Sequence, residues 1–125
     1  MELRSQTNPN HFRFERTAFD AVLLDLDGTL VDTLDDFVEA LQAMLHALPP
    51  PYCHHHLLRS EVELRVGKGS ENLVNQVLAL VDIAQCAINR VASKQPDDAL
   101  AAQALQCYLH HYRNINGRRS RVYPG

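Results

Sequence analysis

Residues 21–33, AVLLDLDGTLVDT, close an apolar run with two aspartates, a Gly-Thr pair and a third aspartate. Phe19 to Leu24 is apolar except for Asp20, short, and flanked by polar residues, which predicts a strand covered on both faces as in a parallel sheet. Ligands of open parallel sheets bind beyond the carboxyl ends of the strands, so Asp25 and Asp27 stand where chemistry is expected. Side chains two apart on a strand share a face, and the extended pattern breaks at Gly28, which puts Asp27 in the exit turn with both carboxylates toward one cavity. Two carboxylates at a desolvated strand end repel unless a cation or proton lies between them. Such hard oxygen donors suit Mg²⁺, which takes a few carboxylates plus water and substrate phosphate.

The charge distribution sharpens this expectation. Asp20 to Glu39 holds seven acidic residues and no Lys or Arg, while Arg113, Arg118, Arg119 and Arg121 crowd the end of the chain. The net charge of −3 gives no general attraction to nucleic acid or to an anionic membrane. An acidic concentration of this kind invites a cation. Cys53, Cys86 and Cys107 are an odd number at wide spacing without a C-x-x-C pair, so neither a disulfide framework nor a zinc ribbon is indicated. No stretch approaches the roughly 20 apolar residues of a membrane span, and the first residues lack the apolar centre of a secretory signal. A soluble protein of the reducing cytoplasm is expected.

Residues 1–18 are polar, with Asn8-Pro9-Asn10 as a turn signal, and form a loosely ordered leader in this reading. Helix follows from Thr33 to about Arg113. Leu34, Phe37, Val38, Leu41, Met44, Leu45 and Leu48 fall at three- and four-residue steps, with Asp32 or Thr33 to cap the start and Pro49-Pro50-Pro51 to end it. A second helix is expected at about residues 57–66, stopping at Gly67. A third begins at Ser70 with the stripe Leu73, Val74, Val77, Leu78 and Val81, a weaker fourth covers about 83–92, and Asp97 opens a fifth through Tyr112. One strand followed by about five helices leaves that strand without a neighbour, because a parallel strand requires a return strand beside it. The tail Val122-Tyr123-Pro124-Gly125 reads as a turn, and the sequence is therefore expected to be truncated.

Several motifs can be set aside. An EF-hand alignment through Asp25, Asp27 and Gly28 puts Leu23 and Leu34 where the metal needs carboxylates. An aspartic protease needs Asp-Thr-Gly, whereas the order here is Asp27-Gly28-Thr29. Gly67-Lys68-Gly69-Ser70 hints at a phosphate loop, but the earlier glycine would fall at Val62, and Lys68 is not followed directly by Ser or Thr.

The strand followed by Asp25-Leu26-Asp27-Gly28-Thr29 resembles the first motif of the haloacid dehalogenase superfamily. Its continuation, Leu30-Val31-Asp32-Thr33 into a helix, resembles the superfamily's phosphatases with a helical cap inserted just after that motif. Arg65-Val66-Gly67-Lys68-Gly69 with Leu73-Val74 resembles the cap of the phosphoglycolate phosphatase family, and Tyr112 with Tyr123-Pro124-Gly125 resembles the point where the chain leaves the cap. The resemblance covers about Phe19 to Gly125 and implies an α/β, Rossmann-like core with an inserted all-α cap. Its divisions here are a leader (1–18), the first core strand and catalytic loop (19–33), the cap (34–116) and the start of the return to the core (117–125).

The resemblance implies a Mg²⁺-dependent phosphatase of small phosphomonoesters, 2-phosphoglycolate foremost. Asp25 would attack phosphorus and form an aspartyl-phosphate, and Asp27 would act as general acid and then base. The Asp25 carboxylate and the Asp27 backbone carbonyl would hold Mg²⁺, while Gly28, Thr29, Gly67, Lys68 and Gly69 would bind phosphate or substrate. The family's phosphate-binding Ser or Thr, its Lys and its final acidic pair lie beyond the equivalent of Gly125. This chain alone is therefore expected to be inactive or nearly so, with a small phosphorylated metabolite as its partner and neither nucleic acid nor membrane.

Plainer readings stand beside these. Asp25 and Asp27 could form an ordinary acidic turn, and Asp32 either caps the helix or takes part in catalysis. Gly67 to Gly69 is either a substrate-closing loop or an interhelical turn with glycines for positive φ. Cys53-His54-His55-His56 reads as a solvated loop, since consecutive residues on an extended segment do not converge on one ion. His110 and His111 read as helix surface, and Arg118, Arg119 and Arg121 as a solvated linker. The alternatives in function are a sugar-phosphate mutase of the same superfamily and a non-catalytic helical module whose bare apolar stripes bind a partner chain.

Overall fold

The computed structural model describes residues 20, 21, 23–26, 28–90 and 96–124. Its elements run β1 (Val31–Asp32), α1 (Leu34–Ala47), a single 3₁₀ turn (Tyr52–His54), α2 (Arg59–Glu63), α3 (Ser70–Asn89), α4 (Asp98–Ile115) and β2 (Arg121–Val122). The described chain is thus mostly helical with one two-stranded antiparallel sheet, in which Val31 pairs with Val122 and Asp32 with Arg121.

The α1 helix follows the expected boundaries closely. Asp32 Oδ1 accepts the Leu34 N–H at 3.2 Å, so Asp32 supplies the cap, and Thr33 makes no capping bond through its side chain. Leu48 is already extended ahead of Pro49, as the residue before a proline prefers. Leu41, Met44 and Leu45 are fully buried on the face that the spacing indicated. α4 opens on Asp97, whose Oδ1 accepts the Ala99 N–H at 3.5 Å, and packs against both α1 and α3. Tyr108 is buried, its ring stacked on Tyr112 at 5.7 Å, and Tyr112 meets Phe37 of α1 at 5.3 Å. These contacts build one core with Leu73, Val74, Val77 and Leu78 of α3.

Three expectations change. The third and fourth helices are one: α3 continues to Asn89 and ends at Arg90 in the left-handed conformation (φ 54°), because no Gly or Pro interrupts residues 70–89. The last expected positions of the fourth, 91 and 92, lie outside the described residues, and Gly69 rather than Ser70 precedes the first turn of α3. α2 is shorter than expected, since Leu57 gives its N–H to Gln42 Oε1 at 2.8 Å and only Val62 of the helix is buried.

The third change concerns the strand expected at Phe19 to Leu24. Residues 20, 21, 23 and 24 carry no regular structure, and Leu23 and Leu24 are 98% and 68% exposed. Phe19 and Val22 lie outside the described residues, as does the leader, 1–18. A strand needs a hydrogen-bonding neighbour, and among the described residues none lies beside this segment. The sheet that does form joins the chain entering the helices to the chain leaving them, so Val122, where a turn-like tail was expected to begin, pairs as a strand together with Arg121. Among the described residues no helix is long and apolar enough to cross a membrane.

Two polar anchors complete the packing. The buried Tyr52 hydroxyl donates to Asp82 Oδ1 at 2.8 Å and ties the 3₁₀ turn to α3; burial and the neighbouring carboxylate push the phenol well above its ordinary range. Tyr52→Phe removes that bond and leaves Asp82, whose Oδ2 is already unpartnered, poorly satisfied. A loss of about 1–2 kcal/mol in urea unfolding is expected, with an unchanged m-value.

The second anchor is Asp36, which is fully buried in the first turn of α1. It accepts the Gly117 and Arg119 N–H groups at 3.0 and 2.9 Å and the Ser120 hydroxyl. Burial pushes its pKa up, but the Ser120 hydroxyl and the backbone donors outweigh burial and hold it below the ordinary range of an aspartate. A carboxyl depressed on folding contributes stability that is present above its unfolded value and is lost as pH falls through the folded one. The urea midpoint is therefore expected to drop below about pH 4, more steeply in the wild type than in Asp36→Asn, as unfolding curves between pH 6 and 2 would register.

Candidate active site

The segment Leu26 to Val31 closes on itself. The Leu26 carbonyl accepts the N–H groups of Thr29, Leu30 and Val31 at 3.4, 3.0 and 2.9 Å, and Gly28 N–H reaches the Val31 carbonyl at 2.8 Å. Gly28 has φ +76°, and nothing lies within 4 Å of where a Cβ would stand, so the left-handed backbone rather than crowding calls for glycine. Just before this turn Asp25 is exposed, and its Oδ2 accepts the Thr29 hydroxyl at 3.2 Å. The bond holds the carboxylate against the turn through one of its two oxygens. Asp27 lies outside the described residues.

The acidic concentration around this turn has mostly internal partners. Arg59 bridges Asp32 Oδ2 and Asp35 Oδ1, each at 2.9 Å, Arg119 pairs with Glu39, and Asp36 is taken by the segment after α4. Four of the acids that seemed to invite a cation thus serve the fold. The capping role of Asp32 is realised, and its outer oxygen faces Arg59. Among the described residues no group of three or more His, Cys, Asp or Glu is placed to hold a metal. The described part of the turn offers one hard oxygen donor, Asp25, of the type Mg²⁺ accepts, and further ligands would have to join it.

Gly67, Lys68 and Gly69 form the exposed turn between α2 and α3, with φ +119° and +86° at the two glycines. Among the described residues no hydrogen bond or ion pair links this turn to the one carrying Asp25. Cys53 and His54 lie in the 3₁₀ turn, and the His55 carbonyl accepts Gln42 Nε2 at 2.9 Å. His54 and His56 are exposed. His110 shares a hydrogen bond with Asn114 on the surface of α4, and Arg118, Arg119 and Arg121 are exposed in the segment after it.

Two features escaped the sequence reading: Asp36 with its three donors, and Arg59 across two aspartates. Their partners are 81–84 and 24–27 residues away, and no local spacing marks them. An acid in a first helical turn is ordinary by itself, because it complements the helix dipole.

The chain is similar to curated proteins of one name. It is 39% identical over 105 residues to "phosphoglycolate phosphatase, plasmid" of Cupriavidus necator, which covers 84% of this chain and 38% of that protein. Phosphoglycolate phosphatases of Nitrosococcus oceani and Thiobacillus denitrificans are 33% and 32% identical over 83% and 84% of this chain, and 40% of each of those proteins is covered. The chain thus spans about two-fifths of the curated relatives it matches. No protein-family model matches it, and no solved structure does.

Proposed function

We propose that this chain, a homologue of the phosphoglycolate phosphatases over 84% of its length, carries the nucleophile and the substrate-covering helices of a phosphomonoester hydrolase. The observation that carries this reading is the exposed Asp25 carboxylate, held by Thr29 on a tight glycine turn that leads directly into the helical domain. In the proposed architecture, that turn ends the first strand of an α/β, Rossmann-like core, and α1 to α4 form a cap inserted after it.

The chemistry follows from the residues. An Asp25 oxygen attacks phosphorus, the P–O bond to the alcohol breaks, and Asp27 gives a proton to the departing alkoxide. Asp27 then takes a proton from water, whose oxygen attacks the aspartyl-phosphate, releases inorganic phosphate and restores the Asp25 carboxylate. The Thr29 hydroxyl, which bonds Asp25 Oδ2, holds Asp25 in its attacking orientation. Mg²⁺, held by the Asp25 carboxylate, the Asp27 backbone carbonyl, water and substrate, would neutralise charge between nucleophile and phosphate. Gly67-Lys68-Gly69 supplies an exposed cation and bare backbone for the substrate's anionic end. Cys53, Cys86 and Cys107, all free, accord with a reducing cytoplasm.

2-Phosphoglycolate is the proposed substrate, from the name shared by the relatives. A fusion tests this: the matched stretch of the Cupriavidus necator protein is replaced by this chain, and phosphate release is measured with Mg²⁺ and with chelator. Mg²⁺-dependent release from 2-phosphoglycolate, without isomerisation of sugar phosphates, is expected. A folded fusion that releases no phosphate, or that only moves phosphate within a sugar, contradicts the reading.

A further inference from the structure

Asp36 is the buried carboxylate that ties the first turn of α1 to the segment after α4. Its two oxygens meet three donors, all in the segment 117–120 that follows α4. Gly117 turns that segment in the left-handed region (φ +86°), and Arg118 N–H returns to the Ile115 carbonyl at 2.9 Å. Immediately beyond, Arg121 and Val122 pair with Asp32 and Val31, and Tyr123 N–H reaches the Leu30 carbonyl at 3.1 Å. The Leu30 and Val31 N–H groups end on the Leu26 carbonyl, one residue from Asp25. Hydrogen bonds and short stretches of backbone therefore run without a gap from the Asp36 carboxylate to the turn that orients the nucleophile.

We propose that Asp36 is a positioning residue, a clasp whose carboxylate holds the chain leaving the helices against the chain entering them and thereby fixes the turn that carries Asp25. A two-residue antiparallel pair is too short to persist on its own, so its register needs an anchor outside the ladder. The surface ion pairs of Arg59 and Arg119, with side chains 29% to 64% exposed, are open to solvent screening and contribute little. The buried carboxylate with three donors is the strong element, since bonds to an ionised acceptor are about twice as strong as neutral ones. Both oxygens must accept. An asparagine of the same shape would turn its NH₂ toward an N–H or O–H donor and lose at least one bond.

The catalytic consequence rests on the phosphatase reading, whereas the clasp itself does not. Amide hydrogen exchange on the 125-residue chain tests the clasp in wild type, Asp36→Asn and Ser120→Ala. In Asp36→Asn the amides of Gly117, Arg119, Tyr123, Leu30 and Val31 are expected to exchange at least about tenfold faster, while Leu73 to Val81 in α3 keep their protection. Ser120→Ala, which keeps both backbone donors and folds more safely, is expected to speed the same amides by a smaller factor. Unchanged exchange at Leu30, Val31 and Tyr123, or acceleration spread evenly into α3, overturns the clasp. In the fusion enzyme Asp36→Asn is expected to lower kcat about tenfold with KM within about twofold, the signature of misplaced reacting groups. An unaltered kcat overturns the positioning role even where exchange is faster. An inactive wild-type fusion contradicts the phosphatase reading, and the exchange pattern still decides the clasp.

Discussion

Asp25→Asn in the fusion enzyme is expected to abolish phosphate release from 2-phosphoglycolate, with a fall on the order of 10⁴-fold or more in kcat, the size of loss seen when a covalent nucleophile is removed. The amide keeps the shape of the side chain and an oxygen for the Thr29 hydroxyl, but lacks the negative charge that attacks phosphorus. Because Asp25 is exposed and its hydrogen bond is local, the change should alter stability by no more than about 0.5 kcal/mol. Steady-state kinetics beside urea unfolding separate the two effects. A variant that retains a tenth or more of wild-type turnover would remove Asp25 from the chemistry.

The largest loss of stability is expected at Tyr108. Its ring is buried at the junction of three helices: it stacks on Tyr112, which meets Phe37 of α1, and it shares one core with Leu73, Val74, Val77 and Leu78 of α3. Tyr108→Ala deletes the ring and opens a cavity between helices that cannot fully close. About 3–5 kcal/mol is expected from the large-to-small substitution, a large fraction of the 5–15 kcal/mol typical of a domain. Tyr108→Phe keeps the packing and should cost only about 1 kcal/mol. Denaturant midpoints for the pair decide between packing and hydrogen bonding; equal losses in both variants would mean that the hydroxyl, not the ring, holds α4 in place.

What the sequence revealed and what it hid divide by distance along the chain. The Asp25 to Thr29 turn was legible because the hydrogen bonds that close it lie within seven residues, as does the glycine that the φ of +76° requires. The limits of α1 and the start of α4 were legible for the same reason, through Asp32, Pro49 and Asp97. The strand expected at Phe19 to Leu24 is not formed at the described residues 20, 21, 23 and 24, because a strand is completed by a neighbour and the described chain pairs its entering and leaving segments instead. The division of α3 into two helices misread a weak place in the apolar stripe after Val81 as a boundary, although nothing there breaks a helix and Asp82 is engaged by Tyr52. The acidic concentration misled in part because Arg59, Arg119 and the donors around Gly117 come from elsewhere in the chain.

Trapping a phosphoryl group on Asp25 decides whether this carboxylate is the acceptor in the proposed reaction. In the fusion enzyme carrying Asp27→Asn, the base for the second step is absent, so a phosphomonoester whose alcohol leaves without a proton, such as an aryl phosphate, should load the enzyme and stall. After acid quench, peptide mass spectrometry is expected to find one added phosphoryl group on the peptide containing Asp25, and none when Asp25 is also changed to Asn. A fusion that turns over with Asp27 intact yet never carries phosphate on that peptide would contradict the account.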